Sequence, residues 1–349
     1  AQVTCGATIQ EKVTMSGDLT CVTNPGFTVG SGGTVNMNGH TLTACAGCVG
    51  IALGEQGAKL LNGTVIGSGS GSVGVQLGGS GVHQVTNVTV LGPEIGFDIL
   101  SGGCKLQNCS ATGVNDYGFR SSGDKTSISR SHASGDNDAV GFSFTASNCF
   151  INENTASGSG TGFYTDGTAN KLTRNAASGN EACIIVNGDS NKLTQNTATG
   201  CVDGFGINGN ENKISKSVAL DNGTGMSLSG NDNKLTKNTM SGSNGSGLIL
   251  FGNGNNVASG NTNDNGASGI RIVGGSANGL ASNVSMGNGD HGVLIESGAV
   301  TNELGKTVAL GNGDVDLQDD NPNCGGNVWA KSIFGSSEVN GVPSILCIQ

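Results

Sequence analysis

The chain is poor in aromatic side chains: it carries one Trp and two Tyr. That leaves little ring surface for stacking on sugars. Charged residues make up only 12%, too few for a solvated, disordered polyelectrolyte. Basic residues are outnumbered, 16 Lys and Arg against 26 Asp and Glu, for a net charge of −10. A chain of that sign is not built around a nucleic-acid surface. No run of 18 apolar residues occurs, so no membrane-spanning helix is expected. No apolar stripe at the 3.6-residue period survives ten residues, which argues against helices generally.

What the chain has is glycine, 63 of 349 residues, and a repeat. Asn170-Lys171-Leu172-Thr173-Arg174-Asn175, Asn191-Lys192-Leu193-Thr194-Gln195-Asn196 and Asn233-Lys234-Leu235-Thr236-Lys237-Asn238 are near copies, with Asn212-Lys213-Ile214-Ser215-Lys216-Ser217 between the last two. Their apolar centres are 21 residues apart. A period of this size marks a solenoid. An inward apolar column runs through Leu60, Val85, Leu106, Ile128, Ile151, Leu172, Leu193, Ile214, Leu235, Val257, Leu280, Leu304 and Val328. A strand precedes each member with two inward residues two apart, as in Phe142/Phe144 and Phe205/Ile207. A third short strand follows, and Gly or Asn turns the corner where positive φ is needed. The spacing predicts an all-β fold, a single-stranded parallel β-solenoid of about 13 coils of 21–25 residues. Coils stacked about 4.8 Å apart would make a rod of roughly 60 Å. Residues 1–48 read as an N-terminal β cap with the first coil, 49–330 as the solenoid and 331–349 as a C-terminal capping tail.

Gly225-Met226-Ser227-Leu228-Ser229-Gly230-Asn231-Asp232-Asn233-Lys234-Leu235 resembles the right-handed parallel β-helix repeat. That repeat occurs in pectate-lyase-like proteins and in the periplasmic β-helix protein of nitrous-oxide-reductase maturation. The resemblance covers about residues 49–330 and implies the hand of the solenoid, but the fold hosts lyases, hydrolases, epimerases, adhesins and scaffolds. None of the enzyme signatures is intact. The four prolines form no Arg-x-Pro-x-x-Arg segment and no Asp-Pro occurs; Asp136-Asn137-Asp138, Arg271-Ile272-Val273 and Asp290-His291-Gly292 are imperfect and out of order for a polygalacturonase.

Eleven cysteines suggest an oxidising compartment, with Cys5–Cys21, Cys45–Cys48, Cys183–Cys201 and Cys324–Cys347 as bridges and an odd thiol left over to link chains. The start at Ala1-Gln2 is what a cleaved signal peptide leaves. Location is therefore expected to be extracellular, at the cell surface or periplasmic. Asn154, Asn175, Asn196, Asn238 and Asn283 share one position and should stack as an amide ladder; Phe97, Phe119, Phe142, Phe163 and Phe205 should form an aromatic column. Lys171, Lys192, Lys213 and Lys234 should form an outward stripe. It is either an ion ladder with Asp189, Glu211 and Asp232, or a docking face for an anionic glycan or an acidic partner. No cofactor is implied, except that Asp314, Asp316, Asp319 and Asp320 are Ca²⁺ candidates. The four histidines share no column, so no His-based triad is expected. The leading reading is a secreted structural or adhesive surface solenoid that self-associates end to end into filaments. The alternative is a lyase or hydrolase of acidic polysaccharide, with Arg271, His291 or Lys306 as acid or base.

Overall fold

The computed structural model describes residues 2–340, 342 and 343. It is a right-handed parallel β-solenoid of about 15 turns with essentially no helix. It divides into two compact units, Ala1–Glu181 and Ala182–Gln349.

In the first unit the column is in register from Val13 through Val35 and Leu60 to Val85, Leu106, Ile128, Ile151 and Leu172. Val13 and Val35 are the two coils beyond the expected 13. Within residues 1–48 the strands Lys12–Thr14 and Thr34–Asn36 pair in parallel and carry the column on to Leu60. In the second unit the column runs Leu193, Ile214, Leu235, Val257, Leu280 and Leu304. Its last member is not Val328, which is 53% exposed, but Trp329, which is 2% exposed and in register with Leu304. The 3₁₀ segment Pro322–Gly326 lies in this last coil and moves the register by one residue.

A glycine precedes the paired inward residues in most coils because the backbone of the next coil passes there. At Gly50, Gly74, Gly96 and Gly118 a Cβ would lie 2.5–2.7 Å from the carbonyl oxygen of the following coil's glycine. Any side chain at those points would have to push two coils apart. The glycine leads straight into the core. In the first unit Phe97, Phe119, Phe142 and Phe163 stack face to face at 4.6–4.8 Å. Phe205 does not extend that stack; in the second unit it sits between aliphatic Ile184 and Met226.

Polar corners are closed by amides. Asn154 donates Nδ2–H to Asn175 Oδ1 at 3.1 Å and to the Ile128 carbonyl at 2.9 Å. Asn238 and Asn283 accept from the Ser217 and Gly260 N–H groups at 2.9 Å, while the Asn196 N–H reaches Ser217 Oγ. A second ladder, two residues before the column, is longer. Asn191, Asn212, Asn233, Asn255, Asn278, Asn302 and Asn327 pass N–H to Oδ1 from each coil to the next at 2.8–3.0 Å. The buried amides of these ladders are thereby satisfied.

Cys5–Cys21, Cys45–Cys48 and Cys183–Cys201 are bridged as expected. Cys347 lies outside the described residues. Among the described residues three thiols are free, Cys104, Cys109 and Cys149, and all are buried, so none of these three is placed to link chains. Burial pushes Cys109 up to about 12 and Cys149 to about 11, which leaves them protonated and unreactive. Val342–Pro343 folds back antiparallel on Ser337–Val339 and blunts that sheet edge; the expected extended tail is otherwise outside the described residues.

Candidate functional site

The lysine stripe is real in the second unit. Lys192, Lys213 and Lys234 are in register on adjacent coils, with Thr194, Ser215 and Thr236 beside them on the outward face. The next corner adds Lys216 and Lys237, both exposed and at positive φ. The following strands, Thr197–Thr199, Val218–Leu220 and Thr239–Ser241, bring hydroxyl and aliphatic groups and no carboxylate. The expected ion ladder does not form. Among the described residues none of these five lysines pairs with a carboxylate within 4.0 Å. Asp189 instead accepts from Asn210 at 2.7 Å, and Glu211 lies 3.4 Å from Ser190 Oγ. Lys171, in the first unit, stands 5.0 Å from the Phe150 ring, and Arg174 is paired with Glu153 at 2.6 Å. The signal for Lys216 and Lys237 lies in their spacing, because each stands two residues past a column member.

Of the acid–base candidates, the structure puts Arg271 and His291 on neighbouring coils and Lys306 elsewhere. Arg271 points outward from strand Ile270–Ile272 and pairs with Glu296. His291 precedes strand Val293–Ile295. Lys306 is an exposed corner after strand Glu303–Gly305. Contrary to expectation, His291 does converge with chemically matched partners. Its Nδ1 is 3.4 Å from Ser268 Oγ, and its Nε2 is 3.5 Å from Asp314 Oδ2. The signal was present in the sequence: 268, 291 and 314 are spaced by 23 residues, one coil each.

The acidic segment is used structurally. Asp316 ends a third amide ladder, accepting from Asn312 Nδ2 at 2.8 Å and from the Gly335 and Ser336 N–H groups. Burial pushes its carboxyl up, but these hydrogen bonds outweigh it and hold the group below its ordinary value. Asp319 is fully buried and accepts from Asn321, Asn327 and Trp329. Asp320 accepts from Gln318. Among the described residues no group of three His, Cys, Asp or Glu is placed to hold a metal ion.

The first unit has a polar cluster of its own that the sequence did not announce. Asp98, 3% exposed although on the outward side of its strand, pairs with Arg120 at 2.9 Å. Arg120 lies 5.5 Å from the Tyr117 ring. Nearby Asp116 is held above its ordinary value by burial and then by Glu94.

Parallel strands, in-register coils and glycine corners define a right-handed β-helix repeat protein. The chain belongs to the right-handed β-helix family, whose model matches residues 73–208 and 182–334. No curated protein matches it by sequence. Among solved structures it is similar to a mutant of the periplasmic alginate epimerase AlgG. That match has 11% identity over 95% of this chain and 85% of that one, with a TM-score of 0.46. The A-module of Azotobacter vinelandii mannuronan C-5 epimerase AlgE6 matches at 13% identity, covering 98% and 85%, with a TM-score of 0.37. Dettilon tailspike protein matches at 13% identity, covering 87% and 60%, with a TM-score of 0.40. At these identities the likeness is one of fold alone.

Proposed function

We propose that the chain is a secreted or cell-surface β-solenoid that adheres to an anionic glycan along its lysine face. The observation that carries this is the cluster of five unpaired lysines on three successive coils, flanked by hydroxyls, in a chain of net charge −10. Like charges held one strand spacing apart repel, so a fold that keeps them without counter-ions of its own is primed for an external polyanion. Each exposed contact is weak. A polymer with one carboxylate per sugar meets several lysines at once, and the contacts add through multivalency. Three disulfides fit an oxidising location, and no helix among the described residues is long and apolar enough to cross a membrane.

The test is retention on immobilised polygalacturonate. The Lys213→Glu/Lys216→Glu/Lys234→Glu/Lys237→Glu variant should lose affinity on the order of tenfold or more, and wild-type binding should weaken with salt. Equal retention of the two proteins would end the reading.

End-to-end assembly is a second reading, supported by the N-terminal coil, where strand Lys12–Thr14 pairs on one side with Thr34–Asn36. An open edge of this kind adds strands readily. Sedimentation as a monomer at high concentration would remove it.

A further inference from the structure

We infer that Ser268, His291 and Asp314 form an acyl-transfer site that removes small ester groups, such as acetyl, from a hydroxylated substrate. The inference is independent of the lysine-face reading and uses none of its residues. Nucleophile, base and orienting carboxylate are recognised by geometry, not by their order in a chain. Here they occupy three successive coils. Ser268 Oγ and His291 Nδ1 are 3.4 Å apart; with the imidazole proton on Nε2, the serine hydroxyl donates to Nδ1. Nε2 is buried without a hydrogen bond among the described residues, and Asp314 Oδ2 stands 3.5 Å away, an ion-pair partner for the protonated ring. A buried ring nitrogen left at that distance needs an explanation. Catalytic hydrogen bonds that tighten only with substrate bound supply one.

Access sets the substrate class. Ser268 is 3% exposed, whereas the Asp314 side chain is 72% exposed. The relay is open to solvent at its acid end, and burial of Ser268 limits any acyl group there to a small one.

The step balances with water as the only co-reactant. The Ser268 Oγ–H proton passes to His291 Nδ1 as an Oγ–C bond forms. The ester C–O bond then breaks, and the alcohol leaves with the proton from His291. Water, deprotonated by His291, attacks the acyl-serine and releases the acid, restoring the Ser268 hydroxyl. Asp314 stays ionised and faces the imidazolium Nε2–H.

The experiment needs no variant at first. The intact protein is incubated with a small fluorophosphonate and digested for mass spectrometry, and turnover of p-nitrophenyl acetate is followed in parallel. Label is expected on Ser268 in the peptide that contains it. Ser268→Ala should reduce turnover by on the order of 100-fold or more, and Asp314→Asn by a smaller factor. His291→Gln should abolish the labelling of Ser268; its melting temperature separates this from unfolding. Label on no serine, label on a different serine, or turnover unchanged in Ser268→Ala would each overturn the proposal.

Discussion

The two units solve one corner differently. Two residues before the column, the second unit has asparagine in every coil from Asn191 to Asn327. At the same position the first unit has Ala58, His83, Cys104, Thr126 and Cys149 before reaching Asn170. The asparagines bond from coil to coil. The first unit's groups bond mainly within their own coil, Thr126 Oγ1 to the Gly123 carbonyl at 2.7 Å, Cys104 to Ser101 and His83 Nε2 to Gly78 at 2.7 Å, while the Cys104 and Cys149 sulfurs also reach the Gly81 and Gly123 carbonyls of the preceding coil. Cohesion between coils of the first unit comes from parallel strand pairing, to which the phenylalanine stack adds. A corner that needs one buried acceptor or donor can take it locally or from its neighbour. The choice decides whether the side chain at that corner ties a coil to itself or to its neighbour.

The comparison is most exposed to Phe142→Ala. Removing a ring that contacts Phe119 and Phe163 should destabilise the first unit by about 3–5 kcal/mol and leave the second unit unchanged. Hydrogen exchange resolved by peptide would show it; equal loss of protection in both units would mean that they do not open independently. Next in size is Asn255→Ala. Asn255 accepts from the Asn233 N–H and Nδ2, and donates to Gly230 O and Asn278 Oδ1. Unsatisfying these should cost about 1–3 kcal/mol, seen as faster exchange in the adjoining coils.

Acid should separate the units by sign. Asp316, in the second unit, is held below its ordinary value of 3.8, so the stability it contributes is present above that pH and is lost as pH falls. Asp116, in the first unit, is held above the same value. Its contribution is present in acid and lost as pH rises through its raised value. Exchange at Gly335 and Ser336 should therefore accelerate in acid, and Asp316→Asn should remove that dependence. The smallest effect is expected from Cys149→Asn, which writes the second unit's corner into the first. Asn170 Oδ1 already receives the Cys149 N–H at 2.8 Å. The new amide should find donors and acceptors as Asn170 does, so stability should stay within about 1 kcal/mol. A drop in melting temperature comparable to that of Phe142→Ala would show that the two corners are not interchangeable.

Much of this fold is legible in the amino-acid sequence. The 21-residue spacing from Leu172 to Leu235 sets strand, face and register together, and the glycine before each inward pair follows from it. What stays hidden has physical reasons. Val35 is legible in the first coil, whereas Val13 reads only as a strand of the cap because the short segment Lys12–Thr14 shows no repeat frame. Val328 stands in for Trp329 because a 3₁₀ turn absorbs residues without changing composition. The Ser268–His291–Asp314 relay is hard to see because three different residue types at equal spacing do not register as a repeat. Lys216 and Lys237 are easily passed over because non-glycine residues at positive φ are uncommon.

The asparagine ladder makes the coil a unit of heredity. Asn191 and Asn212 are 21 residues apart and stand at the same point of the same corner. Losing or duplicating that stretch would rejoin an asparagine to Lys-φ-Thr/Ser and restore the amide bond across the seam. Near-identical coding segments also invite unequal crossing-over, so lineages can lengthen or shorten such a protein in whole turns. The number of lysine rows would then be tuned by copy number rather than by point substitution.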